Sequence, residues 1–289
     1  MRVINLCYDD YANYSFNNCK ALNSIGVECK SFKIKPHTFG YKHQSDITTL
    51  EEMVSWIKHF DVVQYFHSNI NLFVKLQPYL STKKVIIYHT GTPYRANPDM
   101  MNDYFNPRCD MVITDQCEFM GLGGKRVRYL ATAIESTPLS YSDKILFAHY
   151  PSNPINKGTP IIREEFISLL VGSNKYDFDI SEELLTHSEN IDRVCKCAIY
   201  VELFMPFQKG KRYGCYGVSA FEAAALGKLV ITQNFHPEVY EYEYETEVGF
   251  RICNSLEDLR RAINDYKFMS ISDINFLQSL THKWVNKYH

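Results

Sequence analysis

The sequence predicts an α/β protein made of two successive Rossmann-like domains. Three observations lead there. Short apolar runs such as RVINLCY (2–8) and KKVIIYHT (83–90) are near-continuous rather than alternating, as strands are when both faces of a parallel sheet are covered. Amphipathic stretches of helical length separate these runs. The alternation then starts afresh after a polar segment near 136–144, which points to a second domain rather than one larger sheet.

In chain order, RVINLCY reads as a buried strand, SFNNCKALNSIG as a helix closed by Gly26, and VECKSFKI (27–34) as a second strand. The polar stretch 35–49, with His37 and His43, reads as loop, and LEEMVSWIKHF (50–60) as an amphipathic helix. DVVQYFHS (61–68), KKVIIYHT and DMVITDQ (110–116) are three further strands. In the second block, KILFAHYPS (144–152) is a strand running into a loop and PIIREEFISLLVG (160–172) a helix. KYDFDI, KCAIYVEL and KLVITQ are strands, and GVSAFEAAALG (217–227) is a helix bounded by glycines. SLEDLRRAINDY (255–266) opens with Ser255 at an N-cap position and Asp258 three residues on. The last stretch, SDINFLQSLTHKWVNKYH, is a helix. The expected domains are 1–140 and 141–270, with a terminal helix (271–289) packing back on the first.

Composition bounds the partners. The chain has 289 residues, 45% of them apolar, and a formal net charge of -2. That length holds two modest cores, and the charge gives no basic field of the kind nucleic acid demands. Nine cysteines without a repeating spacing fit reduced thiols in a cytoplasmic protein. Cys195 and Cys197 are the one close pair, with no second cluster to complete a metal site. The N-terminal MRVINLCYDD is too short an apolar stretch for a signal peptide or a membrane span.

Three segments carry the chemistry. In AHYPSNPINKGT (148–159) a strand ends, a small polar turn follows, and Lys157 precedes a helix. Unpaired N–H groups and the positive dipole end of a helix, joined by a lysine, suit a phosphate. In YGCYGVSAFEAAALGKLVI (213–231), Gly214 and Gly217 let backbone approach a ligand at a helix start, and amides near Val218 and Ser219 can face phosphate oxygens. Glu222, early in that helix, can accept hydrogen bonds from ribose hydroxyls. In VIIYHTGTPYR (85–95), His89 ends a strand ahead of Gly91 and Arg95, where open α/β sheets bind ligands. Taken singly, each has a plain structural explanation: a solvated lysine, an Ala-rich packing helix, a polar loop.

Together, in this order, the segments resemble the group 1 retaining glycosyltransferases of GT-B fold, in which two Rossmann-like domains face a central cleft. The match is to members whose second-domain motifs read like HAPSN…KGT and G-x-YG…A-x-EAMALGKPV. The resemblance implies transfer from a nucleoside-diphosphate sugar, a UDP-sugar foremost, with retention and without metal. The nucleotide sugar is a substrate, so no cofactor is implied. Lys157 would contact the diphosphate together with Ser152 and Asn153. Gly217, Val218 and Ser219 would offer amides to a phosphate, Glu222 would hold the ribose, and His89 would face the transferred sugar as a catalytic residue beside Lys157. Asp9, His67 and Arg95 are acceptor-side candidates. Three positions depart from the pattern: Gly214 replaces the first acid of an E-x7-E pair, Pro151 replaces an arginine before the lysine, and CYDDYANYS replaces a Gly-Gly loop after the first strand.

The acceptor is open: a glycan precursor, or a hydroxymethylated base in viral DNA, for which the basic stretch GGKRVRYL (123–130) could supply phosphate contacts. A GT-B-fold sugar-nucleotide epimerase and a non-catalytic sugar-nucleotide binder are the alternatives to a transferase. Because a lysine and a helix terminus meet the diphosphate charge, transfer is expected to persist in excess EDTA. A complete loss that added metal restores would overturn this and redirect attention to Asp9 and Asp10.

Overall fold

The computed structural model describes residues 1–172, 175–208 and 210–289. The chain divides into two units, Met1–Ala133 and Ile134–His289.

The first unit runs β1 (Arg2–Asp9), α1 (Tyr14–Ser24), β2 (Glu28–Lys35), β3 (Asp46–Ile47), α2 (Leu50–Ile57), β4 (Val62–Phe66), α3 (Ile70–Leu76), β5 (Lys84–His89), α4 (Gly91–Ala96), α5 (Pro98–Phe105), β6 (Met111–Thr114) and β7 (Arg128–Tyr129). Its seven strands form a parallel sheet in the order β3-β2-β1-β4-β5-β6-β7. Adjacent residues bury on opposite faces. Ile4, Leu6, Val63, Tyr65 and Ile87 pack on one side, and Val3, Cys29 and Val62 pack with Cys19 on the other. This double burial produces the uninterrupted apolar runs. The stretch 35–49, read as loop, contributes the edge strand β3, whose two residues pair with Phe32 and Lys33. Two exposed edge residues leave no periodicity to detect.

The second unit runs β8 (Ile145–His149), α6 (Pro154–Lys157), α7 (Thr159–Leu170), β9 (Tyr176–Ile180), α8 (His187–Val194), β10 (Ile199–Val201), β11 (Phe207–Gln208), β12 (Lys211–Arg212), α9 (Val218–Ala225), β13 (Leu229–Thr232), α10 (Pro237–Tyr244), β14 (Arg251–Ile252), α11 (Leu256–Phe268) and α12 (Ile271–Tyr288). Five strands form a parallel sheet in the order β14-β13-β10-β8-β9. The chain goes out from β8 to β9 and returns to build on the far side from β10. The order therefore reverses between β8 and β10, and loops leaving that point diverge and open a crevice above the strand ends. The predicted N-cap of α11 is present as a reciprocal pair: Asp258 N donates to Ser255 Oγ and Ser255 N to Asp258 Oδ2, both at 3.1 Å.

The polar segment expected as a linker is instead bonded to the second unit. Thr137 Oγ1 donates to Ala225 O at 2.7 Å, Ser142 Oγ to Cys197 O at 2.9 Å, and Lys228 Nζ to Ser140 O at 2.7 Å. The division accordingly follows Ala133 rather than residue 140. Helix α12, expected against the first domain, belongs to the second unit and packs on α9 and β13. Its Trp284 stacks on Phe221, and His289 Nε2 lies 2.7 Å from the Tyr240 hydroxyl.

One glycine fixes the loop after β8. Gly158 sits at φ +74, and a Cβ there would lie 1.8 Å from the Phe204 carbonyl oxygen. Phe204 N in turn donates to Lys157 O at 3.1 Å. Gly158→Ala should therefore cost about 2 kcal/mol or more, combining left-handed strain with a backbone clash. Urea denaturation of the folded variant measures this, and an unchanged midpoint would show that the two loops need not touch.

Candidate functional site

Lys157 follows β8 and Glu202 follows β10, so the reversal of strand order brings them together. The Lys157 ammonium is ion-paired with Glu202 Oε1. The two ends of the pair differ in exposure. The Lys157 side chain keeps 21% of its surface, whereas that of Glu202 has none. Glu202 Oε2 accepts from Thr232 Oγ1 at 2.9 Å, which anchors the carboxylate to the end of β13. Burial alone would pull the lysine down, but the adjacent carboxylate outweighs it and holds the ammonium above its ordinary pKa.

The N-terminus of α9 rests on this pair. Gly217 is the N-cap, and a Cβ on it would lie 2.4 Å from Glu202 Oε1 and 3.3 Å from Lys157 Nζ. Only a residue without a side chain lets the helix start come so close. Ser219 Oγ donates to Glu202 Oε1 across a long 3.4 Å. Glu222 lies one turn on, about 5 Å along the axis, on the face that Ser219 shares. Gly214 also has a packing reason to be glycine: a Cβ there would meet the Gln233 side chain at 2.2 Å. That glutamine accepts from Met205 N at 2.5 Å and donates to Met205 O at 2.8 Å, pinning the loop after Glu202.

Among the other predicted donor residues, Val218 is the first residue of α9 and is buried. Ser152 is exposed. Asn153 caps the one-turn helix α6, its side chain accepting from Asn156 N at 3.0 Å, so its oxygen is already engaged. Glu222 Oε1 lies 2.7 Å from His187 Nε2 at the start of α8. Burial would lower His187, but Glu222 raises it above the ordinary histidine value.

In the first unit, strand order reverses between β1 and β4, and a polar cluster fills that point. Asp10 Oδ1 accepts from Ser15 N at 2.8 Å, and its Oδ2 accepts from Ser45 Oγ at 2.8 Å. His67, at φ +64, faces Asp10 Oδ1 through Nε2 at 3.5 Å and Thr90 Oγ1 through Nδ1 at 2.6 Å. Its Nδ1 is thus hydrogen-bonded, while Nε2 is buried without a hydrogen-bond partner among the described residues. His89 is fully buried, its ring stacked on Tyr94 at 4.0 Å and its Nδ1 2.5 Å from Ser68 Oγ. Burial drives its pKa down to about 3. The ring stays neutral, and its Nε2 is buried without a hydrogen-bond partner among the described residues. Asp9 sits half-buried at the end of β1. Arg95 is held by Glu118 at 2.5 Å and Gln116 at 3.1 Å.

Sequence reasoning missed Glu202, Gln233 and His187. Glu202 was visible as a lone acid ending an apolar run, the position at which a parallel sheet presents side chains to its crevice. A histidine titration by NMR tests the His187–Glu222 pair. His187 should titrate above 6.5 in the native protein, and in Glu222→Gln below it, since burial then acts alone. Because the folded value exceeds the unfolded one, the pair's stabilisation is complete below about pH 6.5 and fades as pH rises through the folded pKa. A His187 resonance unmoved by the substitution would break the assignment.

No protein-family model matches the sequence, and no curated protein matches it significantly. Solved structures do match along their length. Anabaena HepE in complex with UDP and glucose aligns over 100% of this chain and 95% of its own, with TM-score 0.66 and 10% identity. Sucrose-phosphate synthase from Thermosynechococcus elongatus aligns over 100% and 95%, with TM-score 0.64 and 11% identity. A glycosyltransferase from Rickettsia africae aligns over 99% and 94%, with TM-score 0.59 and 11% identity. At such identities the likeness is one of architecture, and with the two parallel sheets it establishes that the chain has the GT-B fold.

Proposed function

We propose that the protein is a glycosyltransferase that takes its sugar from a nucleoside-diphosphate sugar, with a UDP-sugar as the favoured donor, bound by the second unit. The observation that carries this reading is the meeting of Lys157 with the N-terminus of α9, one helical turn from Glu222. A cation and free amides suit a diphosphate, and a partly exposed carboxylate about 5 Å away suits ribose hydroxyls. The complexes of HepE with UDP and with UDP-glucose support the choice of nucleotide.

In the transfer, the bond between the anomeric carbon and the leaving phosphate oxygen breaks, and its electron pair stays with the diphosphate. Lys157 and the α9 amides stabilise that charge. The acceptor hydroxyl attacks from the leaving-group face, giving retention, and its proton passes to the departing phosphate oxygen. No step in this scheme calls on a metal. The acceptor is a glycan precursor or a hydroxymethylated base in DNA. A second reading, a nucleotide-sugar binder without transfer, draws on Pro151 standing where a second cation is expected. Acceptor-stimulated release of UDP distinguishes the two.

Lys157→Ala should lower kcat by roughly 10²-fold or more, as loss of an electrostatic donor at developing charge does. Glu222→Ala should raise KM for the donor more than it lowers kcat, because ribose contacts are shared by ground and transition states. Steady-state kinetics on both variants checks this, and wild-type constants in two folded proteins would place the donor elsewhere.

A further inference from the structure

The proposed diphosphate site has a carboxylate at its heart. Glu202 Oε1 reaches the same groups that would serve a phosphate: the Lys157 ammonium, the Ser219 hydroxyl and the start of α9. A carboxylate there opposes an anion, so its presence needs a reason. Either it is a stand-in that leaves when phosphate arrives, or it is a fixed support beneath the lysine. The geometry decides. Glu202 has no exposed side-chain surface and is fastened by Thr232 from the neighbouring strand, while Lys157 alone reaches the surface. Swinging Glu202 out would break a buried bond and draw a charge through the packed start of α9, where even a methyl group on Gly217 has no room.

We propose that Glu202 is a positioning residue that orients Lys157 and keeps it protonated, so that one of the three ammonium donors is spent inward and the others face the nucleoside diphosphate. This rests on the donor-site reading given above. The chemical logic is that of an ammonium taken partly out of water. Unsupported, a buried lysine loses its proton readily and its flexible stem turns toward solvent. Paired with a fixed acid, it stays charged and stays aimed. Gly217 is required because helix, lysine and acid converge on one point, and Thr232 because Glu202 must not follow the lysine outward.

The test joins ionisation to kinetics. Lysines are reductively methylated with ¹³C-formaldehyde, which keeps their charge, and the Lys157 signal is assigned by its loss in Lys157→Arg. In Glu202→Gln that signal should titrate at lower pH than in the wild type. Above that point kcat should fall about tenfold per pH unit, while the wild-type rate holds. Glu202→Asp keeps the charge but withdraws it, and should give an intermediate titration and a partial return of the alkaline rate. It also serves if the glutamine variant does not fold. An unmoved Lys157 titration, or a rate loss equal at every pH, would overturn the proposal and leave Glu202 a merely structural residue. Should the wild type neither bind UDP nor transfer sugar, the donor-site reading fails, and the NMR titration still decides whether Glu202 governs Lys157.

Discussion

A carboxylate with no exposed surface cannot be left unpartnered, and much of the second unit is arranged around that fact. Breaking such a pair from one side costs about 3–5 kcal/mol, because the remaining charge stays buried. Glu202 therefore obliges Lys157 to stand beside it and Thr232 to donate to it. The same crowding obliges position 217 to be glycine and ties the loop after β8 to the loop after β10 through Lys157 O and Phe204 N. Position 158 is glycine because those loops touch. The requirement for pairing one acid thus propagates into backbone choices on three segments of the chain.

The topology sets where such an arrangement can occur. Each unit has a parallel sheet whose strand order reverses once, between β1 and β4 in the first and between β8 and β10 in the second. At each reversal an acid and a base from different loops meet: Asp10 with His67, and Glu202 with Lys157. The outcomes differ because exposure differs. In the first unit Asp10, His67, Thr90, Ser68 and His89 are all buried, with Nε2 of both histidines lacking a hydrogen-bond partner among the described residues. In the second, one member of the pair reaches the surface.

The sheets were legible because their signal is long-range and redundant: apolar runs such as RVINLCY and KKVIIYHT report burial on both faces whatever the neighbouring loops do. Ser255 and Asp258 were legible because a capping box is local. The two-residue strand β3 was not, since exposed edge residues leave no pattern. Lys157 and Glu222 stood out through their motifs. What the motifs did not convey was pairing. Glu202 lies 45 residues from Lys157 and His187 lies 35 from Glu222, and separations of that size become contacts only once the strand order is known. The surroundings of His89 show the same limit. Its place at a strand end is visible in sequence, but its enclosure by Tyr94, Ser68 and Phe105 depends on how α4 and α5 fold back over the sheet.

The position of Glu202 also bears on how a transferase would divide binding from catalysis. A site that met the diphosphate with a lysine and a helix terminus unopposed would grip donor and product alike. Binding shared equally by ground and transition states adds nothing to turnover once the donor is saturating. Under the proposed reading, an acid behind the lysine offsets part of that uniform attraction without removing the ammonium. The oxygen of the leaving phosphate carries more charge in the transition state than in the bound donor. A preorganised ammonium therefore favours the later state more than the earlier one, and needs no reorganisation to do so. On this view the buried carboxylate is compatible with anion chemistry because it tempers affinity while fixing geometry, and the weak net charge of the pair becomes a reason for the site to release its nucleotide.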